Sequence, residues 1–169
     1  MRRDHVLVNS SVYHGFLSHM QITATARRLR EEKSIGAVFI DCLDVIEPDD
    51  RRAYRADQVA LISRRLKTLA KELAVPVVIS ARLARASDKQ DQRPRATDLR
   101  HNGAIEHDAD KVLFLHRPEY HDPGQQEGVV EVIVTKQRNG PTGDVTITFI
   151  NQFMRFENFA VEEPFGYAQ

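Results

Sequence analysis

Four short stretches hold the residues best suited to chemistry. In Lys136-Gln137-Arg138-Asn139-Gly140-Pro141-Thr142-Gly143 two cations stand one residue apart at the end of an apolar run. Alternation along a strand sends both to the same face, so they are expected to project together. A rigid arginine fork there can stabilise the charge that develops during phosphoryl transfer in a neighbouring subunit's site. A hairpin tip with solubilising charges has the same composition. Asp41 closes the run Ala37-Val38-Phe39-Ile40. A carboxylate in that place either holds magnesium beside nucleotide phosphates, usually through water, or caps a strand end. Ser80-Ala81-Arg82 closes a second run, Val77-Val78-Ile79. In Arg100-His101-Asn102-Gly103, glycine and neighbouring amides suit a phosphate cradle that contacts backbone without reading bases, or an ordinary turn with an acidic cap following it.

Other chemistries find little support. The single cysteine, Cys42, rules out an internal disulfide and a cysteine-based metal site. His116 and His121 have no third ligand close in sequence, and no GxSxG elbow is present. Formal net charge is zero, so any nucleic-acid site depends on local clustering. The stretch 80–100 supplies such a cluster: Arg82, Arg85, Lys89, Arg93, Arg95 and Arg100 face Asp88, Asp91 and Asp98. No apolar run approaches a membrane span of about 20 residues, and a cytoplasmic, reducing setting is expected.

The elements that must position these residues read as an α/β sheet domain. His5–Asn9 is a short apolar run with strand character. Residues 18–33 have Ile22, Ala26 and Leu29 on one helical face with arginines opposite. Residues 37–40 and 77–79, unbroken by polar residues, are expected as parallel strands buried on both faces. Between them Val59, Ile62, Leu66, Leu69 and Leu73 mark an amphipathic helix that Pro76 stops. Residues 112–115 form a third apolar run. Residues 130–135 and 145–150 alternate about the 136–143 loop, as an antiparallel hairpin does. Strand, helix, strand, helix, strand and hairpin make a parallel sheet with an antiparallel appendage, in one domain spanning residues 1–169. Ligands of such sheets sit at the carboxyl ends of the strands, where Asp41 and Ser80–Arg82 fall.

Four ordered segments then resemble the C-terminal motor domain of DnaB-type replicative helicases. They are AVFIDCLDVI (37–46), ISRRLKTLAKELAVPVVIS (62–80), RPRATDLRHNGAIEHDADKVLFLHRPEY (93–120) and VIVTKQRNGPTGDVTITFINQFMRFENFA (132–160). The resemblance covers almost the whole chain and implies the second half of a RecA-like fold, a truncated parallel sheet flanked by helices. It implies ATP with magnesium as cofactors and ATP-dependent unwinding of duplex DNA as the inherited activity. Asp41 matches the aspartate that helps hold magnesium, and Arg82 stands where the family usually has a glutamine that senses the γ-phosphate. Residues Arg100, His101, Asn102 and Gly103 match the loop that grips single-stranded DNA, with His101 replacing an acidic residue. Lys136 and Arg138 match the basic pair that reaches the γ-phosphate on the adjacent subunit. Single-stranded DNA and other helicase subunits in a hexameric ring are the implied partners.

The sequence also departs from that family. No GxxxxGK[ST] loop is present, and the family's catalytic glutamate would fall upstream of residue 1. Two functions are therefore weighed. One is a helicase domain, truncated or split, that does not hydrolyse ATP alone. The other is a non-catalytic DNA- or helicase-binding module that completes a neighbouring subunit's ATP site. A recombinase-like or circadian-clock-like ATPase relative is disfavoured by the KQRNGPTG and DLRHNGAIEHDAD stretches.

Overall fold

A computed structural model of the chain describes residues 17–50, 52–83, 93–95, 103–120, 124 and 127–160. The first helix, α1 (His19–Lys33), starts on a reciprocal cap. The Gln21 amide donates to Ser18 Oγ at 3.3 Å, and the Ser18 amide donates to Gln21 Oε1 at 2.9 Å. Ser34, in the left-handed region, ends the helix. The second helix, α2 (Arg55–Leu73), buries Val59, Ile62, Leu66, Leu69 and Leu73, the five positions that its spacing predicts. Ala74 in the left-handed conformation and Pro76 then turn the chain into the next strand.

The strands β1 (Val38–Ile40) and β2 (Val77–Ile79) are parallel and in register, with Val38 opposite Val77 and Ile40 opposite Ile79. Because side chains alternate, one face of this pair packs Val38, Ile40, Val77 and Ile79 against the α1–α2 core. That core is centred on Ile62 and Leu69, which are 2% and 1% exposed. The opposite face differs from the expectation of two-sided burial. Among the described residues it presents Phe39 and Val78 to solvent, 76% and 48% exposed. An unbroken apolar run records the demand for cover on both faces but does not say which segment provides it.

A short helix, α3 (Gly103–Asp108), packs on α2 and leads into β3 (Lys111–His116). The third apolar run forms β3, whose partner among the described residues is antiparallel. Within the described residues β3 pairs with β4 (Val129–Gln137), which pairs with β5 (Gly143–Ile150), which pairs with β6 (Arg155–Asn158). Apolar content announces a strand, whereas strand direction is set by partners distant in sequence. The predicted hairpin is β4–β5, and the sheet extends beyond it on both sides. Phe114 and Ile133 form its small core, with Leu83 and Val112 packed against them. The strand expected at residues 5–9 lies outside the described residues.

Candidate nucleotide and DNA interface

Asp41 and Ser80 follow β1 and β2 directly, so the parallel register brings them side by side at the carboxyl ends. The Ser80 amide donates to Ile40 O at 3.0 Å and the Leu43 amide donates to Ser80 O at 2.9 Å, which fixes both strand ends. The Ser80 hydroxyl donates to Asp41 Oδ1. Asp41 is exposed, and its carboxylate beside a hydroxyl is the hard-oxygen donor set that suits magnesium. Among the described residues no group of three or more His, Cys, Asp or Glu forms a cage. A magnesium ion here would take its remaining oxygens from water and phosphate, its usual preference beside nucleotides. Arg82 lies two residues beyond Ser80 and is exposed.

The second group of residues gathers where α3 meets β3. Arg138 stands just past β4 on the turn, with 69% of its side chain exposed. Its amide donates to Asp110 O at 2.9 Å and its Nη1 donates to Asp110 Oδ1 at 3.2 Å. The other oxygen of that carboxylate accepts from Lys67 Nζ on α2. Lys67 first, then Arg138, holds the Asp110 carboxyl below the ordinary carboxylate range. Gly140 completes the turn; a Cβ there would collide with the side-chain amide of Gln137.

Lys136 behaves differently from the expectation that it projects beside Arg138. It lies half-buried within β4, and its Nζ donates to Glu106 O at 2.5 Å and His107 O at 3.1 Å. Both carbonyls belong to the last turn of α3, where carbonyls lack helical partners and the helix dipole favours a cation. Alternation does not reach Arg138, because β4 ends at Gln137 and Arg138 stands on the turn beyond it. Val112 faces Lys136 but Leu113 faces Val134, so Thr135 is an extra residue in β4, on the far side of Lys136 from Arg138.

Of the phosphate-cradle residues, Gly103 opens α3, while Arg100, His101 and Asn102 lie outside the described residues. The basic stretch 80–100 is visible at 80–83 and 93–95. There Arg93 donates to Glu131 Oε2 at 2.7 Å and Asp144 Oδ2 at 2.6 Å, tying it across β4 and β5. Neither Asp110 nor Lys67 stands out in the sequence. Their separation of 43 residues gives no local signal, although the acidic run Glu106–Asp110 marks the segment.

The sequence profile of the DnaB-like helicase C terminal domain matches residues 7–158. The chain belongs to that family. The DnaB-like chain is 42% identical over 151 residues to the replicative DNA helicase DnaB of Geobacillus stearothermophilus, with 88% of the chain and 33% of that protein aligned. It is 41% identical over 141 residues to the replicative DNA helicase DnaC of Bacillus subtilis (strain 168), covering 82% of the chain and 31% of that protein. The DnaB-like chain thus spans about a third of the length of these relatives. Among solved structures, a DnaB-like replicative helicase described with its primase interactions superposes with a TM-score of 0.80 at 37% identity, covering 85% of this chain and 35% of that one. A second solved structure, an ATPase domain, gives the same TM-score and identity, with 52% of that chain covered. The α/β architecture of the DnaB-like chain is accordingly that of helicase ATPase domains.

Proposed function

We propose that this chain serves ATP-dependent DNA unwinding in replication as a helicase motor segment that completes a neighbour's nucleotide site and does not hydrolyse ATP alone. The observation that carries the reading is the placement of Arg138. Its guanidinium stands on an exposed turn, held from behind through both its backbone amide and its side chain by Asp110. An arginine so anchored can meet a phosphate on another subunit without ordering a free side chain first. Lys136 adds positive charge to the same hairpin. Asp41 supplies a carboxylate for hydrated magnesium at the strand end, and exposed Arg82 lies close enough in sequence to meet nucleotide phosphate. Arg100, His101, Asn102 and Gly103 are assigned to single-stranded DNA phosphates, and a ring of subunits, six in this family, would place each Arg138 at its neighbour's site. The partners are single-stranded DNA and helicase subunits, and no helix among the described residues is long and apolar enough to cross a membrane.

The test adds the purified chain to a DnaB-type helicase subunit whose own trans-acting arginine has been replaced by alanine. The wild-type chain should restore ATP turnover, and Arg138→Ala should not. The chain alone should be silent; turnover by it that Asp41→Ala abolishes would overturn the proposal. The alternative, a non-catalytic DNA- or helicase-binding module that completes a neighbouring subunit's ATP site, would also restore turnover but would not support unwinding.

A further inference from the structure

We infer that Lys67 is a positioning residue for Arg138: by sharing the Asp110 carboxylate it keeps the arginine anchored yet still cationic toward a neighbour's phosphate, a role that rests on the assignment of Arg138 to a neighbouring subunit's nucleotide. Two cations divide the oxygens of one carboxylate. Lys67 Nζ donates to Asp110 Oδ2, and Arg138 Nη1 donates to Oδ1 at 3.2 Å. The three side chains run from the interior outward: Lys67 is 20% exposed, Asp110 53% and Arg138 69%. Lys67 sits on α2 between the buried Leu66 and Leu69, so its backbone is fixed by the core. Ion pairs this exposed contribute little to folding, and their consequence is for charge. Asp110 and Arg138 alone would make a neutral pair, and a phosphate approaching the guanidinium would also meet the carboxylate's repulsion. With Lys67 present, two cations and one carboxylate leave one net positive charge at the turn. The Arg138 amide bond to Asp110 O, at 2.9 Å, depends on neither side-chain charge. The turn therefore stays in place when the guanidinium leaves the carboxylate for phosphate, and Lys67 saves that carboxylate from being left unpaired. A carboxylate with no second partner would hold Arg138 back, whereas a shared one releases it.

The full chain is added to a DnaB-type subunit whose own trans-acting arginine is replaced by alanine, and ATP turnover is measured. Lys67→Met keeps the stem and the helix but removes the charge. It should lower the restored turnover about fivefold or more, the order expected when one charge a few ångströms from the arginine is lost. The loss should fall on kcat with KM for ATP unchanged, because the neighbour holds the nucleotide. Lys67→Arg should recover most of it, and Lys71→Met, at an exposed position one turn along α2, should change little. The deciding variant joins Lys67→Met with Asp110→Asn, which removes both charges and keeps a side-chain oxygen for Arg138. Its turnover should rise again toward that of the wild type, a coupling that a merely structural lysine would not show. Lys67→Gln is the second variant should the Met chain not fold. Turnover with Lys67→Met equal to the wild type overturns the inference, as does a loss that Asp110→Asn fails to recover. Failure of the wild-type chain itself to restore turnover is a different result: it removes the reading of Arg138 and the role of Lys67 with it.

Discussion

The hydroxyl of Ser80 donates to Oδ1 of Asp41, joining the carboxyl ends of two parallel strands. Asp41 is exposed, and this is a single surface contact, so it contributes little to folding. Asp41→Ala should lower unfolding free energy by no more than about 1 kcal/mol in urea denaturation. A loss of about 3 kcal/mol or more would make Asp41 a structural residue and remove the reason to assign it to magnesium.

Leu69 is 1% exposed at the centre of the α1–α2 core. Leu69→Ala removes buried methyl groups and leaves a cavity, at a cost of about 2–5 kcal/mol. The variant should show a lowered urea midpoint with an unchanged slope. Leu61, on the same helix but 40% exposed, should lose about 1 kcal/mol or less on the same substitution, which separates packing from helix propensity.

His19 is 2% exposed and sits between Arg65 and Asp49. Arg65 Nη1 donates to its Nε2 at 2.6 Å, which places the ring proton on Nδ1, 3.2 Å from Asp49 Oδ1. That second contact is too poorly angled to count as a hydrogen bond. Burial pushes the imidazole below its ordinary value of 6.5; Asp49 opposes the shift and Arg65 reinforces it. A depressed folded-state value means the unfolded chain takes up the proton first. The stability from neutral His19 is therefore present above about pH 6.5 and is lost as pH falls through the lower folded value. Urea midpoints between pH 7.5 and 5.5 should fall for the wild type and fall less for His19→Gln. Equal slopes would show that His19 does not carry the dependence.

Arg93 reaches both Glu131 and Asp144, pinning part of the basic stretch onto adjacent strands. Its own side chain is 46% exposed, so Arg93→Ala should change global stability little. Limited proteolysis should respond more strongly, with cleavage between residues 83 and 103 several-fold faster. A cleavage rate equal to that of the wild type would show that the stretch is held elsewhere.

Much of this architecture is legible in the sequence, because its signals are periodic and local. The five buried positions of α2 follow directly from spacing, and Ser18 with Gln21 marks the start of α1. Asp41 and Ser80 are placed by the rule for parallel strand ends, which needs only the two apolar runs before them. Strand direction is a different matter. Residues 112–115 carry the same apolar character as residues 77–79, yet β3 is antiparallel to β4, and nothing in either run distinguishes the partners. Lys136 and Arg138 diverge for another reason: alternation holds only within a strand, and β4 ends at Gln137, between the two. Asp110 is invisible in the sequence because its partners Lys67 and Arg138 come together only in the fold.

The uncovered face of β1 and β2 has a bearing on how the chain behaves in solution. Phe39 and Val78 are register partners, so two exposed apolar side chains adjoin on one surface. With formal net charge zero and an isoelectric point near 7.1, little long-range repulsion keeps copies apart at neutral pH. Solubility should accordingly be governed by hydration rather than charge. Sulfate, which strengthens apolar association, should precipitate the chain at concentrations where chloride does not. Phe39→Lys would put a charge in the middle of that surface and widen the soluble range.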